Sequence, residues 1–123
     1  MSWLDDAPDL LEAARGALRG EVMPAVAPER RYEAAMVANA IGIATREVGQ
    51  GAAAREAERA DLAAFCGGEG APLDELRRRV CRALRAGDLG AEAEARLRGL
   101  LLAAVRRRLA ISNPDHLARQ ESP

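Results

Sequence analysis

The sequence predicts an all-α fold: an up-and-down antiparallel bundle of about five helices with the Arg30–Val48 helix at its centre. Three observations lead there. No run shows the apolar–polar alternation of a strand. Apolar side chains recur instead at helical spacing, between short connections rich in Gly and Pro. The chain has 123 residues and is 49% hydrophobic but only 2% aromatic. A core filled by Ala and Leu calls for close helix contacts.

The elements follow in order. Residues 1–7 read as an N-terminal arm, with apolar Trp3 and Leu4 and acidic Asp5 and Asp6. Whether this arm packs on its own chain or reaches another subunit is open. A first helix spans about Pro8 to Met23, with Pro8 in its first turn and Leu10, Leu11, Leu18 and Val22 on one face. Pro24 and Pro28 end it.

The helix of Arg30–Val48 carries apolar residues around nearly its whole circumference. Tyr32, Met36 and Ile43 share one face. Val37, Ile41, Ala44 and Val48 share a second. Ala34, Ala38, Gly42 and Thr45 make a third, small enough for another backbone to approach closely. Gly49 and Gly51 are expected to terminate this helix. Ala52–Cys66 then forms a thin-faced peripheral helix resting on Leu62 and Phe65, before the flexible loop Gly67–Gly70.

Pro72 opens a fourth helix with Leu73, Leu76, Val80, Ala83 and Leu84 inward. A fifth runs from about Ala91 to Ile111 and is stopped by Ser112-Asn113-Pro114, since proline disfavours α conformation in the residue before it. Residues 8–117 make a single domain, and residues 118–123 are expected as a disordered tail.

Charge excludes some functions. Charged residues make up 30% of the chain, yet the net charge is −1, with all 18 basic residues arginine. A nucleic-acid binder should be basic and should interleave aromatics for stacking. The triplets Arg77–Arg79 and Arg106–Arg108 each point in three directions on a helix, so they read as solvated or salt-bridged. Without lysine there is no Schiff base. One histidine, His116, and two cysteines at unrelated spacing, Cys66 and Cys81, match no metal pattern. The cysteines read as small core fillers. No catalytic residue, metal or cofactor is therefore expected. No run reaches the ~20 apolar residues of a membrane span, and the N-terminus lacks a signal-peptide layout. The expected setting is cytoplasmic.

The candidate binding groove comprises Arg31, Tyr32, Asn39, Arg46 and Glu47. Asn39 lies among apolar residues, where a buried amide must find partners. Arg46 falls close to Asn39 on the wheel and is placed to meet the fifth helix. Arg30 and Arg31 stand at a helix N-terminus, unfavourable for cations unless acids or an anion compensate.

Three stretches carry a family resemblance: Pro8-Asp9-Leu10-Leu11-Glu12-Ala13, the Arg31-Tyr32…Ala38-Asn39-Ala40…Arg46-Glu47 pattern, and Leu109-Ala110-Ile111-Ser112-Asn113-Pro114 followed by Leu117. The chain resembles a small all-helical bacterial family of unknown function. Its members tend to be encoded beside, or fused to, aminoglycoside-phosphotransferase-like kinases, often near acyl-CoA dehydrogenases. The resemblance implies no catalytic residue. With a chain poor in catalytic side chains and surplus apolar face on the second and fifth helices, the family's neighbourhoods lead to the expectation of a non-enzymatic accessory module serving a kinase-like or acyl-CoA-metabolising partner, with self-association included. The alternative is a binding domain for an anionic metabolite such as an acyl-CoA.

Overall fold

The chain folds into five α-helices with no strand among the described residues, in a computed structural model that describes residues 3–122 and only the backbone of Trp3 and Leu4. The helices are α1 (Trp3–Ala17), α2 (Arg31–Cys66), α3 (Leu73–Ala86), α4 (Ala91–Ser112) and α5 (Pro114–Glu121). The all-α class is as the apolar periodicity predicts. The partition into helices is not.

α1 begins at Trp3, so residues 3–7, expected as an arm, are helical, and Pro8 lies inside the helix at the cost of one backbone hydrogen bond. Asp5 and Asp6 in the first turn favour the positive end of the helix dipole. How the Trp3 side chain packs lies outside the described residues. α1 passes into a π-helical turn over Leu18–Val22 and a 3₁₀ turn over Met23–Ala25. Ala27 is extended, as a residue before proline must be, and a second 3₁₀ turn, Pro28–Arg30, leads into α2.

α2 is one helix of 36 residues. Gly49 and Gly51 do not end it, because neither takes the left-handed conformation that a glycine stop requires. The alanine-rich sequence on both sides carries the helix through them. The true stop is Gly67, at φ +71°. There the Gly68 N–H donates to the Ala63 carbonyl at 3.0 Å, the six-to-one bond of a Schellman motif. Gly68 is buried, and a Cβ at that position would meet Leu76 Cδ2 and Arg79 Nη1 at 2.7 Å. The loop expected to be the most flexible is therefore closed by backbone bonds and a tight contact.

Pro114 both interrupts and restarts the helix: α5 opens on it, where its missing N–H costs nothing. The tail expected over 118–123 is thus helical to Glu121.

The chain divides into two compact units: Met1–Gly51 with Ile111–Asn113, and Ala52–Ala110 with Pro114–Pro123. In the first, the buried residues are small (Ala7, Ala38, Gly42 and Gly51) except for Ile111. In the second, Leu62, Ala63, Leu76, Val80 and Leu97 form the core, with Phe65, Cys66, Ala71, Leu73 and Leu89 packed against it. The stretch Ala52–Cys66, expected as peripheral, supplies two of those core residues. Leu62 is only 2% exposed.

Candidate interaction surface

The first half of α2 is buried on one side only. Ala38 is completely enclosed and Gly42 is buried, with Ala34, Ile41 and Thr45 half-buried around them. This is the face of small residues, and a long side chain lies against it. A Cβ on Gly42 would stand 3.2 Å from Arg15 Nε of α1. Close approach is possible here because Gly42 has no side chain.

The opposite side is open and apolar. Tyr32 is 76% exposed, Met36 55% and Val37 51%. Val48, Ala40 and Ala44 are exposed on the same side. Asn39 lies beside Tyr32 and Met36 and is exposed too. The expectation of a buried Asn39 amide fails for a simple reason: its apolar neighbours themselves face outward, so no core forms around it. The polar groups bordering this stripe are largely committed. Arg30 meets Glu33 through two contacts of 3.0 and 3.1 Å, answering the unfavourable cation at the helix start. On the small-residue face, Thr45 Oγ1 donates back to the Ile41 carbonyl at 2.7 Å.

Arg46 turns the other way. Its Nε donates to the Ile111 carbonyl at 2.6 Å. That carbonyl belongs to the last turn of α4, where helix geometry leaves acceptors without partners and a cation is favourable. Of the five candidate groove residues, then, Tyr32 and Asn39 share an exposed face and Arg31 is exposed at the start of α2. Arg46 is spent on α4, and Glu47 is half-buried with a polar interaction of its own.

The second unit carries the ion pairs that link one helix to another. Glu58, only 9% exposed, receives Arg77 in a fork at 2.7 and 2.8 Å. The hydrogen bonds from Arg77, with the positive fields of Arg77, Arg107 and Arg108, hold the Glu58 carboxyl below its ordinary range against the opposing effect of burial. Asp61 pairs with Arg107 at 2.9 Å. On α3, Arg79 pairs with Glu75 at 2.9 Å. Of the arginine triplets, Arg77, Arg79 and Arg107 are thus salt-bridged, and Arg78 and Arg106 are exposed. With Arg82, Arg85, Arg77 and exposed Cys81, Arg78 lines an open trough of about 380 Å³ along α3. Exposure of Cys81 corrects its reading as a core filler.

A second concavity, of about 370 Å³, lies between α2 and α4, lined by Asp61, Ala64, Phe65, Arg96, Gly99 and Leu100. The Arg96 guanidinium stands 5.5 Å from the centre of the Phe65 ring, within cation–π range. Leu101, Leu102 and Val105 of α4 are exposed. Sequence reasoning missed this concavity and the Glu58–Arg77 and Asp61–Arg107 pairs, whose partners stand 19 and 46 residues apart.

Among the described residues, no group of three or more His, Cys, Asp or Glu side chains could hold a metal ion, and no helix is long and apolar enough to cross a membrane. No curated protein and no solved structure matches the chain. One family model does, over residues 24–116. The match begins after α1 and takes in all of α2, α3 and α4, and so both the open apolar stripe and the ion pairs. With most of its length covered, the chain belongs to the family described as a domain of unknown function, DUF6285.

Proposed function

We propose that this protein is a non-enzymatic accessory module that works by presenting helix faces to a protein partner. The observation that carries the reading is the set of large apolar side chains left in solvent, Tyr32, Met36 and Val37 on α2 and Leu101, Leu102 and Val105 on α4. Contiguous exposed apolar surface marks interaction sites in soluble proteins. A sequence with one histidine and no lysine supports the absence of catalysis. The resemblance supplies the partner class to test: an aminoglycoside-phosphotransferase-like kinase, or an enzyme of acyl-CoA metabolism, in a bacterial cytoplasm. The experiment is co-expression with such a kinase, read by light scattering after size exclusion. A 1:1 or 2:2 complex is expected. Leu101→Glu with Val105→Glu should weaken it at least about tenfold, as loss of a central apolar anchor does. Absence of any complex with either partner class overturns the reading.

A second reading, a site for an anionic metabolite such as an acyl-CoA, is favoured by the α3 trough, where Arg78, Arg82 and Arg85 have no acidic partner among the described residues. Guanidinium forks suit phosphate. A thermal shift against coenzyme A, ATP and pyrophosphate tests it. At a hundredfold excess over Kd, stabilisation of about 2.7 kcal/mol is expected. It should vanish in Arg82→Ala.

A further inference from the structure

We propose that Arg15 of α1 and Arg46 of α2, brought together over Gly42, form a binding site for a phosphate group. The site lies within the first unit and shares no residue with the arginine trough of α3.

The geometry starts from a missing side chain. A Cβ on Gly42 would stand 3.2 Å from Arg15 Nε and 3.4 Å from Arg46 Nη1. Two guanidinium groups from different helices therefore converge on one spot. They do so because position 42 carries no side chain to hold them apart. Arg15 comes from the last turn of α1, and Arg46 lies one turn along α2 from Gly42.

Two like charges this close repel each other unless an anion stands by them. The protein's own groups answer only part of that need. Arg15 reaches Glu12 at 3.4 Å, and Glu12 is 60% exposed, so the pair is weak. Arg46 gives its Nε to the Ile111 carbonyl at 2.6 Å, a neutral acceptor at the end of α4. The helix dipole there amounts to about half a charge, which offsets part of one guanidinium. Arg15 Nε is buried and has no hydrogen-bond partner among the described residues. A buried donor without an acceptor is rare in a folded protein and points to a ligand that completes it.

The donor set selects the anion. Each guanidinium is a planar fork of N–H groups that matches phosphate oxygens two at a time. Two forks bring two positive charges, and a phosphomonoester carries about −1.5 to −2 at pH 7. A carboxylate brings one charge and two oxygens, which suit one fork. The Arg15 side chain keeps 29% of its surface in solvent although Nε is buried, so a ligand can reach the guanidinium. A small turn of this long side chain then moves Nε from Gly42 to a bound oxygen. Inorganic phosphate and the phosphoryl group of a small metabolite share this chemistry, and the test separates them.

The experiment is a titration of the full chain with inorganic phosphate, then with glycerol phosphate, at constant ionic strength, followed in proton–nitrogen correlation spectra. The Arg15 Nε–H signal and the backbone amides around Gly42 are expected to shift and to saturate at millimolar ligand or below. Arg15→Gln removes the charge and the fork and should weaken this binding about tenfold or more. Arg15→Lys keeps the charge without the fork and should weaken it less. It carries the test if circular dichroism shows that Arg15→Gln does not fold. Arg82→Ala should leave the shifts around Gly42 unchanged, which separates this site from the α3 trough. Tighter binding of glycerol phosphate than of phosphate identifies a metabolite as the ligand, and the reverse identifies the free ion. The proposal is overturned if no saturable shift appears around Gly42. It is overturned equally if both Arg15 variants bind as the native chain does, or if acetate binds as tightly as phosphate. Any of these results leaves the α3 trough to its own test.

Discussion

At the scale of the residue, Glu58 carries the clearest energetic consequence. Its carboxylate is nearly enclosed, and the Arg77 fork satisfies both of its oxygens. Removing the acceptor charge weakens two charge-assisted hydrogen bonds, and because the Arg77 side chain stays half exposed and can be solvated, Glu58→Gln should cost about 1 kcal/mol in chemical denaturation. The pH dependence has a definite sign. The folded-state pKa lies below the ordinary 4.5. The unfolded chain therefore takes up the proton first, and the stabilisation is complete above about pH 4.5 and fades as pH falls through the lower, folded value. A melting temperature measured down through this range should fall in the native protein and fall less in Glu58→Gln. Arg46 shows how one residue type serves different ends: read as a groove residue, it instead caps the last turn of α4 through the Ile111 carbonyl. Its position on α2 is visible in sequence. Its destination, 65 residues away, is not.

At the scale of the element, α2 decides most of the architecture. A 36-residue helix through three glycines, Gly42, Gly49 and Gly51, is not what local rules expect, since glycine in a helix interior costs roughly 0.5–1 kcal/mol relative to alanine. Exposed Gly49 has nothing within 4 Å of a Cβ built on it. Gly49→Ala should therefore raise stability by about 0.5–1 kcal/mol, seen as a higher melting temperature. Were Gly49 a left-handed stop, the same change would destabilise. The wheel of α2 also shows where periodicity succeeds and stops. It distinguishes three faces, of which only the small-residue one is buried. It cannot rank them, because burial depends on what lies opposite. The small face won: Ala38 and Gly42 let Arg15 come close, and the bulkier faces were left to solvent. The same limit explains Leu62, which has few apolar neighbours along its own helix and gains its core from Leu76, Val80 and Leu97.

At the scale of the whole molecule, the two units differ in what holds them. The second buries Leu62, Leu76, Val80 and Leu97, and the first buries alanines, glycines and Ile111. Burial of a full aliphatic side chain contributes about 1.5–3 kcal/mol, and an alanine methyl much less. Amide hydrogens of α1 should accordingly exchange well before those of α3 and α4 in a native-state experiment, and equal protection would contradict this account. The sequence by itself determined the all-helical class, most helix starts, the stop at Asn113-Pro114 and the solvated or salt-bridged character of the arginine runs, because these follow from periodicity, proline geometry and charge balance within a few residues. Only the tertiary structure decided that α2 is continuous, that Ala52–Cys66 is core, that Asn39 is exposed and that Glu58 and Asp61 find Arg77 and Arg107. Each of those outcomes depends on which surfaces meet across tens of residues, and burial, unlike helix propensity, is a property of the pair.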